Sequence, residues 1–363
     1  MRSTPVGLAL LVVLLLAGCS REASEPESRT VLGVLLPLSG PESKGAANLL
    51  AGLELGARHA DPSIRVVARD DAGDPAISSR RWRELVRDES VIAVVGGWHA
   101  STARPLAALA HEVGVPFVAL SPLAATSLHG DVTIPSLHRI ESAGLAAAGW
   151  AREVREAQTA GVWADSTREA SVRCGRAFAE EFTARGGNVA WWVGPDEDGR
   201  TSRPAGAPNP VNVVFVAGPG DLLGELREFG AGADRAAYLF VEGWPHPEPE
   251  RGGPPLFLLR PTAPDPEAAD WEAFEAACRS AGIDPGVQAA RGWDVGGVLA
   301  GILGKARTRS GAMRALRDLG STSGVTGGLA LGAGPETVAL FALEPEGERG
   351  LGRVPALATP ASP

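Results

Sequence analysis

Gly33-Val34-Leu35-Leu36-Pro37-Leu38-Ser39-Gly40 decides how this chain is read. The apolar run opens at Val31, stops at Pro37 and gives way to the polar loop Ser39-Gly40-Pro41-Glu42-Ser43. A short apolar run bounded by turn residues reads as a strand buried on both faces. Residues 44–59 follow with Leu49, Leu50, Leu53 and Leu55 on the inner side of a helix. A buried strand feeding an amphipathic helix is the first unit of a parallel α/β sheet.

Toward the C-terminus the alternation continues. Strands are expected at 64–68, 91–95 and 115–120, with helices at 75–88 and 101–113 between them. A second series has helices at 143–156 and 169–185 and strands at 160–164, 189–193, 211–216, 237–241 and 256–259. Helices at 265–281 and 286–307 and strands at 329–331 and 338–343 complete the body, and residues 353–363 are expected to fray. The resulting fold class is α/β, with two doubly wound Rossmann-like lobes. At ~100–200 residues per domain, a 363-residue chain has room for both.

Toward the N-terminus, Arg2 precedes an apolar core over residues 6–16, too short to span a bilayer and followed by small residues. That is a secretory signal, and Leu16-Ala17-Gly18-Cys19 resembles the lipobox of bacterial lipoproteins. The resemblance implies acylation of Cys19 and a lipid anchor in the cell envelope. Residues 19–29 are polar and aperiodic, as a flexible tether would be.

Composition removes several classes of function. The net charge of −9, with no basic block, argues against a nucleic-acid partner. The six histidines are scattered without zinc spacing, and the acidic run from Asp70 to Asp74 lacks calcium-loop spacing. No phosphate-binding loop, nucleophile elbow or dinucleotide fingerprint is present, so neither a cofactor nor catalysis is expected. Cys174 and Cys278 fall in different lobes, where a disulfide would lock a hinge; free buried thiols are the expectation.

The order of motifs resembles the type I periplasmic substrate-binding proteins of the leucine/isoleucine/valine-binding family. Gly33 to Gly40 matches the opening strand and loop, Ala51-Gly52-Leu53-Glu54-Leu55-Gly56 the first helix, and Asp70-Asp71-Ala72-Gly73-Asp74-Pro75 the acidic turn. Val94-Val95-Gly96, Gly114-Val115-Pro116-Phe117 and Ser121-Pro122-Leu123-Ala124-Ala125-Thr126 match the next strand ends, and His138-Arg139-Ile140 the first crossing between lobes. The match is close over 30–142 and looser over 143–355. It implies lobe 1 at 30–140 plus 261–323, lobe 2 at 141–260 plus 324–355, a multi-crossover hinge and a tail from 356.

In open α/β sheets, ligands bind beyond the carboxyl ends of strands where the strand order switches. Ser101 and the loop from Ser121 to Thr126 lie at two such ends, where hydroxyls and free N–H groups suit a carboxylate. By resemblance, Ser101, Ala124 and Thr126 bind that group, with Ser121 beside them; Ala100 or Thr102 is the alternative to Ser101. Trp98 either covers an apolar ligand moiety or packs in the core. Glu242 matches the family acid that pairs with a ligand ammonium, and Asp165 ends another second-lobe strand. Trp293-Asp294 fits either an aromatic–acid pair near the hinge or plain helix packing.

Departures from the family pattern concentrate in the second lobe. Glu169 stands near the place where amino-acid-binding relatives carry a tyrosine, and the chain's only tyrosine, Tyr238, lies inside a strand. Three prolines and two glycines between 199 and 210 exclude the usual helix there. The reading implied is a monomeric, lipid-anchored receptor that closes over an amino-acid-like solute and delivers it to an ABC permease. The alternative is a lipoprotein regulator of an envelope enzyme or sensor that keeps the fold without transport.

Overall fold

Every residue of β1 (Val31–Leu36) is buried because the strand lies inside a parallel sheet with helices on both faces. The computed structural model describes residues 30–121, 132–134, 140–195, 201–202, 210–218, 236–242, 246–306, 308–319, 321–330 and 337–356. After β1 come α1 (Ser43–Ala60), β2 (Arg65–Asp70), α2 (Pro75–Asp88), β3 (Ala93–Gly96), α3 (Ala100–Val113), β4 (Phe117–Ala119) and β5 (Thr133–Ile134). The first sheet has the order β2-β1-β3-β4-β5, all parallel. Leu32, Val34 and Leu36 point to one face; Val31 and Leu35 join Trp82, Leu85 and Leu106 of α2 and α3 on the other. This is the period-2 alternation of a strand covered on both sides.

The second sheet contains β6 (Thr159–Ala164), β7 (Asn188–Pro195), β8 (Thr201–Ser202), β9 (Val213–Ala217), β10 (Ala237–Val241) and β11 (Leu256–Arg260), with β14 (Thr337–Glu344) and β15 (Gly347–Pro355) added later in the chain. Its order is β15-β14-β11-β10-β9-β6-β7-β8, with β11, β10, β9, β6 and β7 successively parallel and β14, β15 and β8 antiparallel to their neighbours. Helices α4 (Glu141–Glu153) and α5 (Glu169–Ala184) cover one face, where Ala147, Phe178 and Trp150 meet Val162, Phe215 and Leu239. Phe178 stacks on Phe215 with ring centroids 4.5 Å apart.

Three more helices, α6 (Trp271–Ala281), α7 (Val287–Ala306) and α8 (Arg309–Arg317), return to the first sheet, and β12 (Ser321–Gly324) and β13 (Gly327–Ala330) form a small ribbon. Valine, leucine and methionine side chains of α7 and α8 meet Leu49 and Leu53 of α1 over β1. The crossing of α1 and α7 explains the glycines of both. A Cβ on Gly52 or Gly56 would overlap the carbonyl of Ala289 or Trp293, and one on Gly292 or Gly296 the carbonyl of Leu49 or Leu53. Only backbone without side chains permits so close an approach, and it fixes where the polar residues of α7 fall.

Chain crossings between the sheets are laced by one buried side chain, Asp294, and one half-buried one, Arg353. Asp294 of α7 is 3% exposed. Its carboxylate accepts from the N–H groups of Val325 (2.8 Å) and Thr326 (2.9 Å) and from the Thr326 hydroxyl (2.5 Å). Arg353 of β15 donates to the carbonyls of Thr326 (2.7 Å) and Ala263 (3.3 Å) and lies 3.6 Å from Asp265.

Three expectations are corrected. The helix expected from 265 begins at Trp271: Pro264 and Pro266 bias their predecessors away from helix, and the Asp265 carboxylate accepts from the Glu267 N–H in a turn. Helix α8 was not expected; the Thr308 hydroxyl caps it by accepting from the Gly311 N–H at 3.1 Å. Arg353 to Pro355, expected to fray, end β15, an exposed edge strand whose pairing with β14 leaves no apolar pattern to read. Cys174 and Cys278 are free and buried, on α5 and α6.

Candidate functional site

The first sheet reverses its strand order between β1 and β3, so the loops after those strands splay apart at the carboxyl edge. The acidic turn holds this edge in shape: Asp70 accepts from the N–H groups of Leu38 (2.9 Å), Ser39 (3.3 Å) and Ala72 (2.9 Å). Asp74 caps α2 through the N–H groups of Ala76 and Ile77, both at 2.8 Å. Across the switch, His99 Nε2 meets Glu42 Oε2 at 2.6 Å.

Ser101 is exposed in the first turn of α3. Thr102 is fully buried, and its hydroxyl donates to the His99 carbonyl (2.9 Å) and accepts from the His99 N–H (3.3 Å). Thr102 therefore builds the start of α3, and both its hydrogen-bonding capacities are spent on that task. Trp98 is half-buried; a Cβ on Gly45 would lie 3.7 Å from its ring and 4.0 Å from the side chain of Gln288. Loop β3–α3, the first turn of α1 and the first turn of α7 thus converge on one patch.

Beyond β4, Ser121 is only 7% exposed and its hydroxyl has no hydrogen-bond partner among the described residues. A buried hydroxyl left unpaired carries a desolvation cost of roughly 1–3 kcal/mol that a ligand group removes. Beside it, Arg291 of α7 donates to the carbonyl of Leu120 (3.2 Å) and to the Gln288 side chain (3.4 Å). Burial pulls the Arg291 guanidinium below its ordinary value, and the charge of Glu242 pushes it back up.

Glu242 follows β10 at the carboxyl edge of the second sheet. One carboxylate oxygen accepts from the Thr262 hydroxyl at 3.0 Å. The other is 3.3 Å from Arg260 Nε, in a geometry that makes no hydrogen bond. Arg260 is committed elsewhere: its two terminal nitrogens grip Glu348 at 2.6 and 2.8 Å, and its guanidinium lies 4.9 Å from the Phe341 ring centre. Desolvation raises the Glu242 carboxyl above its usual range, against the lowering effects of Arg260, Thr262 and Arg291.

Asp165, after β6, closes a local turn by accepting from the N–H (2.9 Å) and hydroxyl (2.7 Å) of Thr167, and its second oxygen lies 3.3 Å from Arg168. Four residues on, Glu169 reaches Arg104 of α3 at 3.4 Å. That pair joins helices of the two sheets, and the charges of Arg291 and Glu242 also act on one another across them, so the two carboxyl edges face one another.

Of the residues expected at the site, Trp98, Ser101 and Ser121 fall on the first edge and Asp165 and Glu242 on the second. Cys19, Ala124, Thr126, His138 and Arg139 lie outside the described residues, as does most of the proline-rich stretch 199–210. Trp293 and Asp294 lie on α7, with Asp294 lacing the crossing rather than reaching the edges. Sequence reasoning missed Arg104, Arg260 and Arg291. A signal existed for Arg291, which with Asp294 and Lys305 supplies all the charge of the otherwise apolar and glycine-rich α7. Among the described residues no cluster of histidine, cysteine and acidic side chains is arranged to hold a metal.

Comparison with known proteins places this geometry in a family. A chemotactic signal transduction system substrate-binding protein, BasB of Halobacterium salinarum, is 28% identical over 214 residues, which cover 54% of this chain and 52% of the relative. The chain thus spans about half the length of the curated relative it matches. The branched-chain amino acid transporter substrate-binding protein LivJ of Streptococcus pneumoniae, solved with isoleucine, superposes with a TM-score of 0.65 at 15% identity over 91% of this chain and 99% of that one. An ABC-transporter solute-binding protein of Rhodopseudomonas palustris, solved with 3,4-dihydroxybenzoic acid, does so with a TM-score of 0.63 at 18% identity over 91% and 98%. The profile of the periplasmic binding proteins matches residues 30–337. With two doubly wound lobes and that match over most of its length, the chain belongs to the periplasmic binding protein family, of type I.

Proposed function

We propose that this protein is the solute receptor of an ABC importer, held at the envelope by a lipid on Cys19 and binding an amino acid or similar small polar solute between its lobes. Lobe 1 comprises 30–140 plus 261–323, and lobe 2 comprises 141–260 plus 324–355. The work is binding and closure about the laced crossings, with no bond made or broken. Ser101, Ser121, Ala124 and Thr126 receive the solute carboxylate, Trp98 flanks its apolar part, and Glu242 with Asp165 accepts from its ammonium. The liganded protein meets its permease as a monomer.

One observation carries this reading. A buried, unpaired hydroxyl at Ser121 and a carboxylate at Glu242 with an oxygen free of hydrogen bonds stand on the two facing edges. The chemistry suits a solute with an acceptor at one end and a donor at the other. Thermal-shift screening of the mature protein against amino acids, their amides and small carboxylates, followed by calorimetry, tests it. A stabilising ligand with 1:1 stoichiometry is expected; silence across the panel removes the amino-acid-like solute, and silence across uncharged solutes such as sugars as well removes the receptor role.

A second reading is favoured by the name of the halobacterial relative, which belongs to a chemotactic signalling system. On that reading the closed form is read by a sensor instead of a permease. Crosslinking the liganded protein in membranes separates the two: recovery of a transporter subunit supports import, and recovery of a transducer supports sensing.

A further inference from the structure

We propose that Arg291 is the principal anion anchor of this receptor, its guanidinium gripping the solute's carboxylate beside the Ser121 hydroxyl. The inference rests on the receptor reading and deepens it: the solute class becomes small carboxylates, and an arginine outside the expected hydroxyl loops sets that specificity.

Four observations converge. First, α7 is held against α1 by the reciprocal glycine contacts, so Arg291 is delivered to the carboxyl edge by a rigid element instead of a loop. Second, it sits at that edge, since it donates to the carbonyl of Leu120, the residue immediately before Ser121. Third, its two hydrogen bonds are long, at 3.2 and 3.4 Å, both go to neutral acceptors, and among the described residues no carboxylate lies within ion-pair distance. A guanidinium has five donors in a planar fork, so the better part of its capacity is uncommitted. Fourth, the neighbouring Ser121 hydroxyl is buried and unpartnered. A half-buried cation with spare donors beside an orphan hydroxyl is costly unless an anion completes it.

The other arginines at the facing edges are spoken for. Arg260 holds Glu348 with both terminal nitrogens, Arg168 turns back to Asp165, and Arg104 meets Glu169. Arg291 alone among these has only neutral partners. Glu242 stands on the facing edge with one carboxylate oxygen free of hydrogen bonds, so a solute with its carboxylate toward Arg291 would present its far end to an acceptor. An amino acid places its ammonium there, and an aryl carboxylate places a ring hydroxyl.

The test compares acids with their own amides. Wild-type protein and the variants Arg291→Gln and Arg291→Lys are titrated by calorimetry with L-isoleucine against L-isoleucinamide, and with 3,4-dihydroxybenzoate against 3,4-dihydroxybenzamide. In whichever arm binds, the wild type is expected to favour the acid by about 10- to 100-fold, the range for losing a charge-assisted fork. Arg291→Gln abolishes that preference, and Arg291→Lys restores part of it because it keeps the charge but not the fork. A preference unchanged in a folded Arg291→Gln protein overturns the inference and leaves Arg291 as a brace for the end of β4. Equal binding of acid and amide by the wild type overturns it without any variant. Binding only of uncharged solutes such as sugars overturns it while the receptor reading stands; no binding by any solute class overturns both.

Discussion

The two facing edges differ in how their charges are satisfied. On the first, among the described residues, Arg291 has only neutral partners and Ser121 has none. On the second, each carboxylate is already engaged, Asp165 by Thr167 and Arg168, and Glu242 by Thr262 and the nearby Arg260. Groups without partners hold binding capacity in reserve, whereas groups with partners must trade one contact for another. On the proposed reading the first edge is the anchoring wall, and the second adjusts and closes.

The sharpest break of that contrast is at Glu242. Glu242→Ala is expected to weaken an amino-acid ligand by ~3–5 kcal/mol, because it strands a buried ammonium. Calorimetry showing unchanged affinity would take Glu242 out of the site and leave Asp165 as the only proposed acid on the second wall.

Next in size is the hinge between the walls. Burial pushes the Asp294 carboxyl from 3.8 up to about 6, with the three donors from Val325 and Thr326 opposing that rise. Between those values the folded protein holds a proton that the unfolded chain has released. The stability linked to this proton is full below pH 3.8 and is lost as pH rises through about 6. At about 1.4 kcal/mol per unit, the whole swing is ~3 kcal/mol. Asp294→Asn removes an acceptor from buried N–H groups and costs ~1–3 kcal/mol. Its deficit against the wild type, measured by chemical denaturation, is expected to be larger at pH 4 than at pH 7. A deficit independent of pH would mean that Asp294 does not titrate in this range.

A smaller effect sharpens the anchoring wall. Ser121→Ala removes an unpaired buried hydroxyl, so the ligand-free protein is expected to melt at the same temperature or slightly higher. Affinity for the solute falls by ~0.5–1.5 kcal/mol. Opposite signs in the two measurements distinguish a ligand-facing group from a structural one; a lower melting point with unchanged affinity would place Ser121 in the core.

The smallest effect concerns the bridge between walls. Arg104 and Glu169 are both substantially exposed at 3.4 Å, a kind of pair worth ~0–1 kcal/mol. A double-mutant cycle on ligand affinity is expected to show coupling of that size, weakened by salt. Zero coupling would mean that the pair takes no part in closure.

Different parts of this architecture were legible to different degrees. The spans of β1, α2 and β10 are readable because buried parallel strands are apolar throughout and because Asp74-Pro75 marks a helix start. Gly52, Gly56 and Gly292 stand out in sequence, yet only the crossing of α1 and α7 shows that each faces a carbonyl. β15 was invisible because an exposed edge strand needs no apolar face and its partner is supplied by the chain returning through β14. Arg291 was overlooked for a related reason: an isolated arginine on an apolar helix has no local pattern that says what it meets.

What the sequence determined by itself was the α/β alternation, the order of turns at the carboxyl ends of the strands and the family. These follow from hydrophobic periodicity and turn chemistry, which act over a few residues. What only the tertiary structure decided was which hydroxyls remain unpaired, which acids are already held and which arginine keeps only neutral partners. Those outcomes depend on contacts between residues far apart in the chain, such as Leu120 with Arg291 and Asp294 with Thr326. The desolvation that makes an unpaired buried group costly exists only once the lobes have folded and brought such residues together.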